Sequence, residues 1–167
     1  MSIDAVFSGA PTAKFPYSAA AGTVALGVDT SVPGLYLSAG NGYLPLPSSV
    51  VAKIGLTAQT ANKAAYLTYT APIQGLYRVT NYIVAVNTAT GGTLPAVTTV
   101  FTDQDSSVAT THTLASASTS AAGTISEETY LAHVATAGTI VLATTSYAAG
   151  SGTALQYAVH SRIEYIG

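Results

Sequence analysis

The chain has 167 residues, of which 49% are hydrophobic and only 7% charged, with a net charge of −2 and no cysteine. That composition excludes disulfides, thiolate metal sites and thiol catalysis. Five basic residues spread over the chain (Lys14, Lys53, Lys63, Arg78 and Arg162) form no sequence-local patch for phosphate contacts, so no nucleic acid is expected as a partner.

The first apolar stretch, in "MSIDAVFSGAPTAKF", carries Asp4 and no preceding basic residue, unlike a secretory leader. No apolar run approaches the roughly 18 residues needed to cross a bilayer, and no membrane partner is expected. Residues 1–48 hold five of the seven prolines and show no sustained period. Proline at this density breaks helices and central strands, so the region is expected to be an extended arm. Within it, Asn41-Gly42 lies between "LYL" and "YLPL" and predicts one small hairpin.

From residue 50 the pattern becomes one of strands: 54–60, 64–70, 75–86, 94–102, 107–115, 124–135, 139–147 and 154–166. β-Branched and aromatic residues dominate these runs, and small polar turn clusters divide them. In "GLYRVTNYIVAV", Tyr77, Val79 and Ile83 share one face, and Arg78, Thr80, Tyr82 and Val84 the other. In the last run, Leu155, Tyr157, Val159, Ile163 and Tyr165 alternate with Gln156, His160, Arg162 and Glu164. Eight short strands without a helical period predict an all-β, antiparallel jelly-roll β-sandwich over residues 50–167, carrying an extended N-terminal arm. The depletion of charge predicts an oligomer, because subunit interfaces exclude charged residues from their centres.

The motifs "GLTAQTAN" (55–62), "YTAPIQGLYRV" (69–79), "LPAVTTVFTDQD" (94–105) and "LQYAVHSRIE" (155–164) resemble the trimeric jelly-roll domains of the C1q and tumour-necrosis-factor-like type. They look most like those found in bacteriophage virion proteins: head fibres, capsid decoration proteins and tail-associated adhesins. The resemblance covers about residues 54–166. It implies a homotrimer that reaches other capsid or tail proteins through residues 1–48, in a virion assembled in the host cytoplasm. The chain lacks the collagenous repeats and most of the core Phe and Trp of animal C1q proteins. A second reading is a carbohydrate-binding receptor-recognition domain of a tail fibre or surface adhesin. It would bind a host surface glycan through loop tips such as "TATGGT" or "AAGSGT", with Tyr130 or Tyr147 nearby, whereas most of the tyrosines lie on strand faces and are expected to serve the core and the interface.

No catalytic motif is present, and the chain is expected to be neither an enzyme nor the holder of a cofactor. Glu127-Glu128 are neighbours on a strand and point to opposite sides, so they do not converge as a glycosidase pair would; a solvated strand or subunit-rim position is expected. Asp103 and Asp105 are the candidate metal ligands, by their i, i+2 spacing, although the glycine and distal Glu of a calcium loop are absent; a plain turn accounts for them equally. His112, His133 and His160 lie on separate strands with no metal-binding spacing; three copies of one of them at a trimer axis would form a symmetric site, while a hydrogen-bonded or exposed strand position accounts for each. Arg78 is expected to form a structural ion pair, with Glu164 first and Asp103 second. Gln156, His160 and Arg162, on the polar face of the last strand, are the candidate oligomer-interface residues.

Overall fold

The computed structural model of the protein describes residues 25–28, 35–39, 42–45, 49–119 and 121–167. Most of the expected arm, residues 1–48, lies outside the described residues. Its strands β1 (Ala25–Val28), β2 (Leu35–Ala39) and β3 (Gly42–Pro45) form a small antiparallel sheet in the order β1-β2-β3. The predicted hairpin is β2–β3, but Gly42 pairs with Ala39 as a strand residue.

The remaining strands are β4 (Ser49–Gln59), β5 (Leu67–Thr70), β6 (Gly75–Ala85), β7 (Gly92–Leu94) and β8 (Ala96–Thr102), followed by β9 (Ala109–Leu114), β10 (Ala117–Thr119), β11 (Ile125–Val134), β12 (Thr139–Thr145) and β13 (Tyr157–Tyr165). Eight of them form two four-stranded sheets, β11-β6-β13-β4 and β5-β12-β8-β9, in which every neighbouring pair is antiparallel. Most connections cross from one sheet to the other, and β13 lies between β4 and β6. That strand order is a jelly roll. No helix occurs among the described residues.

Sequence alternation produces this packing directly. Along β6 burial alternates strictly, so Tyr77, Val79, Asn81, Ile83 and Ala85 point inward while Arg78, Thr80, Tyr82 and Val84 point outward. β13 contributes Tyr157, Val159, Ser161, Ile163 and Tyr165 to the interior. Two apolar clusters result. One surrounds Tyr77, Val79, Val134, Ile140, Leu142 and Ile163, and the other surrounds Ile83, Leu94, Val97, Leu155, Tyr157 and Val159. Tilted aromatic contacts tie Tyr77 to Tyr69 (5.7 Å) and Tyr165 (5.3 Å), a favourable edge-to-face range.

Two strands escape sequence reading because each has three residues, too few to show a period. β7 and β10 pair as a ribbon in the connections between the sheets. Next to it, Thr93 and Ala148 exchange backbone hydrogen bonds at 3.0 and 3.2 Å, and Ser151 N donates to Thr90 O at 2.8 Å. Gly150 makes the last approach possible. Its φ is +76°, and a Cβ there would lie 2.6 Å from Thr90 O.

Candidate functional site

The outward face of the sheet β11-β6-β13-β4 gathers a cluster of charge in a chain poor in it. Lys53 on β4, Arg78 on β6 and Arg162 on β13 are three of its five basic residues, and the strand registers place them close together: Lys53 pairs with Arg162, and Arg162 with Thr80. Arg78 faces Glu164 across the β6–β13 ladder. Arg78 Nε donates to Glu164 Oε2 at 2.6 Å, and Arg162 Nε stands 3.8 Å from the same oxygen. Glu164 is only 6% exposed, so its charge is largely withdrawn from water and held between two guanidinium groups. The expected alternative partner, Asp103, is engaged elsewhere.

Beside this pair is a shallow groove of about 500 Å³, lined by Lys53, Gly55, Thr80, Tyr82, His160 and Arg162. Gly55 is what lets the His160 ring lie down: a Cβ at that position would sit 2.7 Å from His160 Nδ1. The ring in turn leans toward Tyr82, with centroids 6.1 Å apart. Lys53 and Arg162 are opposite each other, and like charges at directly paired strand positions are destabilising. The groove is thus electrostatically incomplete and suited to a negative group.

The same face exposes apolar residues on its other side. Leu76, Ile125 and Leu131 are 38%, 50% and 56% exposed, and Glu127 stands among them, opposite Tyr82. The face therefore runs from a cationic groove at the β4–β13 edge to a β11 edge where the exposed Ile125 and Leu131 alternate with Glu127, Thr129 and His133.

The other predicted residues divide between this face and other parts of the fold. Gln156 precedes β13 and is half-buried; its N–H bonds the Asn87 side chain and its carbonyl accepts from Val86 N. His160 and Arg162 are both exposed on the groove face. Asp103 and Asp105 do not converge. Asp103 Oδ1 accepts from Asp105 N (3.2 Å), Ser106 N (2.9 Å) and Ser106 Oγ (2.9 Å), the plain turn, and these bonds, led by Ser106 N–H, hold its carboxyl below the usual carboxylate range. Asp105 instead pairs with His133 at 3.0 Å. Among the described residues no group of three or more His, Cys, Asp or Glu is placed to hold a metal ion.

Three expectations need correction. Glu128 is not at a solvated rim: it turns inward, with its side chain 17% exposed, 3.3 Å from His112. Tyr130 stacks on His112 with centroids 3.9 Å apart and an interplanar angle of 12°. Tyr147 packs on the second apolar cluster and donates its hydroxyl to Leu155 O. Both tyrosines thus serve the sandwich and do not stand free at loop tips. The tips themselves, around Thr90 and Ser151, are bonded to each other.

No family model matches the sequence, and no curated protein sequence matches it. Among solved structures, the fold is similar to the globular domain of zebrafish complement 1qA protein, at 8% identity and a TM-score of 0.47, over 69% of this chain and 95% of that one. The jelly-roll assignment rests on the strand order given above.

Proposed function

We propose that this chain is a structural, self-assembling protein that forms a homotrimer through the outward face of β11-β6-β13-β4. The observation that carries the reading is the asymmetry of that face. A cationic groove at one edge and, at the other, Glu127 among exposed apolar residues are complementary to each other, not each to itself. Such a surface favours a head-to-tail contact, which closes into a ring when the rotation permits. In a trimer, Glu127 of each copy would approach Lys53 and Arg162 of the next, while Leu131 and Ile125 lose water. Burial of apolar area contributes roughly 25 cal/mol per Å².

The sequence resemblance supports the finer reading: a capsid decoration or head-fibre protein of a bacteriophage virion, attached through residues 1–48. Light scattering on the purified protein is expected to give three chains per particle. Lys53→Glu is expected to give monomers, and Lys53→Glu with Glu127→Lys to restore the trimer. A stable wild-type monomer overturns the assembly reading. Mass spectrometry of the purified particles tests the virion role, and absence of the chain from them overturns it.

The groove favours a second reading. Lys53, Arg162 and His160 beside Tyr82 fit the carboxylate and ring of an acidic sugar. A monomer that binds acidic but not neutral glycans would make recognition the function.

A further inference from the structure

Charge is scarce in this chain, and among the described residues four carboxylates are already engaged. Glu164 accepts from Arg78 at 2.6 Å, Asp105 lies 3.0 Å from His133 and Glu128 3.3 Å from His112, while Asp103 is held by Ser106 within its own turn. Two cations of the groove face are left without a close partner. Arg162 Nε stands 3.8 Å from Glu164 Oε2, beyond hydrogen-bonding distance, and Lys53 forms no ion pair among the described residues. Both are exposed, and the β4–β13 register sets them directly opposite each other. Residues so paired on one face have Cβ atoms about 5 Å apart, so the two long side chains can close on one small ligand.

Nothing in the subunit neutralises this pair. The groove of about 500 Å³ is lined by Thr80, Tyr82 and His160 besides Lys53 and Arg162, and by no carboxylate. Glu127 shares a row with His160 but lies beyond Tyr82, two strands away, roughly 10 Å at the usual strand spacing. Arg78, the third cation of the face, is balanced by Glu164. The groove therefore carries two positive charges at a distance over which they repel, in a concave site that concentrates their field.

We propose that the groove binds a divalent inorganic oxyanion, phosphate or sulfate, between Lys53 and Arg162. The guanidinium offers a planar fork of N–H donors that matches two oxygens of such an anion, and the ammonium adds a compact point charge. Two charges on the ligand balance two in the groove, which chloride or a single carboxylate does not. The Thr80 hydroxyl, which shares a 3.2 Å hydrogen bond with Thr129, and the His160 ring laid over Gly55 bound the site. The anion occupies the place that Glu127 of a neighbouring subunit takes in the trimer, so oxyanion and assembly compete for the same two cations. That competition rests on the trimer reading; the binding site does not.

The test is calorimetric titration of the protein with phosphate, and separately with sulfate, at an ionic strength held constant with sodium chloride. One anion per chain is expected. Affinity should fall about ten-fold or more in Lys53→Gln and in Arg162→Gln, as loss of a hydrogen bond to a charged group implies, and stay unchanged in Lys63→Gln, whose side chain lies outside the groove. Lys53→Gln breaks no ion pair, so an unaltered urea midpoint separates lost binding from lost folding. Heats no different from those of chloride, or undiminished affinity in Lys53→Gln, overturn the proposal. Glu127→Gln distinguishes the site from the assembly. If subunits compete with the anion, this variant binds phosphate more tightly than the wild type, and light scattering shows wild-type trimers dissociating as phosphate rises. A wild-type trimer that phosphate binds without dissociating overturns the competition. Equal affinities in the two proteins, with a monomeric wild type, support the site and overturn the trimer reading instead.

Discussion

Arg78 and Glu164 are direct register partners on adjacent central strands, and their 2.6 Å contact joins a half-exposed guanidinium to a carboxylate only 8% exposed at the side chain. Removing the cation leaves a nearly buried charge with only Arg162, at 3.8 Å, to compensate. Breaking such a pair from one side is far more harmful than deleting both members. Arg78→Ala is therefore expected to lower the Tm clearly, and Arg162→Ala much less. Adding Glu164→Gln to Arg78→Ala should recover part of the loss. Scanning calorimetry of the four proteins checks the order, and an unchanged Tm in Arg78→Ala would show that the pair carries no structural role.

The left-handed backbone at Gly150 leads to a second expectation. Alanine there meets both a φ of +76° and the Thr90 carbonyl oxygen at 2.6 Å, with Gly92 N at 2.9 Å. A non-glycine residue in this region costs about 1–3 kcal/mol, and the clash with backbone adds to it. Gly150→Ala should reduce unfolding free energy by at least that amount, measured in urea. Gly152→Ala has the same sign of φ (+75°) but nothing within 4 Å, so it should show the conformational cost alone.

The core consists of two units whose contributions are expected to add. Leu142 and Leu155 are both 0% exposed and belong to different clusters. Truncation of a buried leucine to alanine costs about 2–5 kcal/mol. The double variant should equal the sum of the singles within roughly 0.5 kcal/mol, as for independent sites. A larger discrepancy in a double-mutant cycle would mean that Tyr66, which packs against both clusters, couples them.

Alkaline pH should weaken the fold through its buried phenols. Burial pushes Tyr66 and Tyr77 up to about 12 from an ordinary 10.0, against the opposing hydrogen bonds from Ser161 and Tyr69, and Tyr130 is pushed up as well. Between the ordinary and raised values the native chain holds more protons than the unfolded one, so stability falls as pH rises. It is fully present below about pH 10. The urea midpoint should drop from there towards pH 12, and phenolate absorbance should show a group of tyrosines that ionise late, together with unfolding. Titration of every tyrosine near its ordinary value in the folded protein would contradict this.

Much of this organisation could be read from the sequence, because strand parity is a local property. The alternation in β6 and β13 put Tyr77 and Ile163 inside and Arg78 and Glu164 on the opposite faces. What parity does not encode is which strands become neighbours and in what register. The direct opposition of Lys53 and Arg162, and so the groove, arises only from the β4–β13 pairing and its two register shifts. Glu128 departs from the sequence expectation for a related reason. A carboxylate reads as solvent-facing until the fold supplies the half-exposed His112 and the buried Asn81 as its neighbours. The brief strands β7 and β10 gave no signal, since their pairing partner is distant in sequence and their length too short for a pattern.

The central position of β13 has a further consequence for how the molecule comes into being. β6 and β4 are made early but have no direct ladder between them; each pairs with a strand that is synthesised about a hundred residues after β4. Until the ribosome has released residues 157–165, the sheet that bears the groove is two separate edges with open backbone groups. Long-range pairing of this kind slows folding and leaves such edges exposed meanwhile. Completion of this sheet therefore waits for β13, and nascent chains stalled before it should be the species that chaperones and proteases meet.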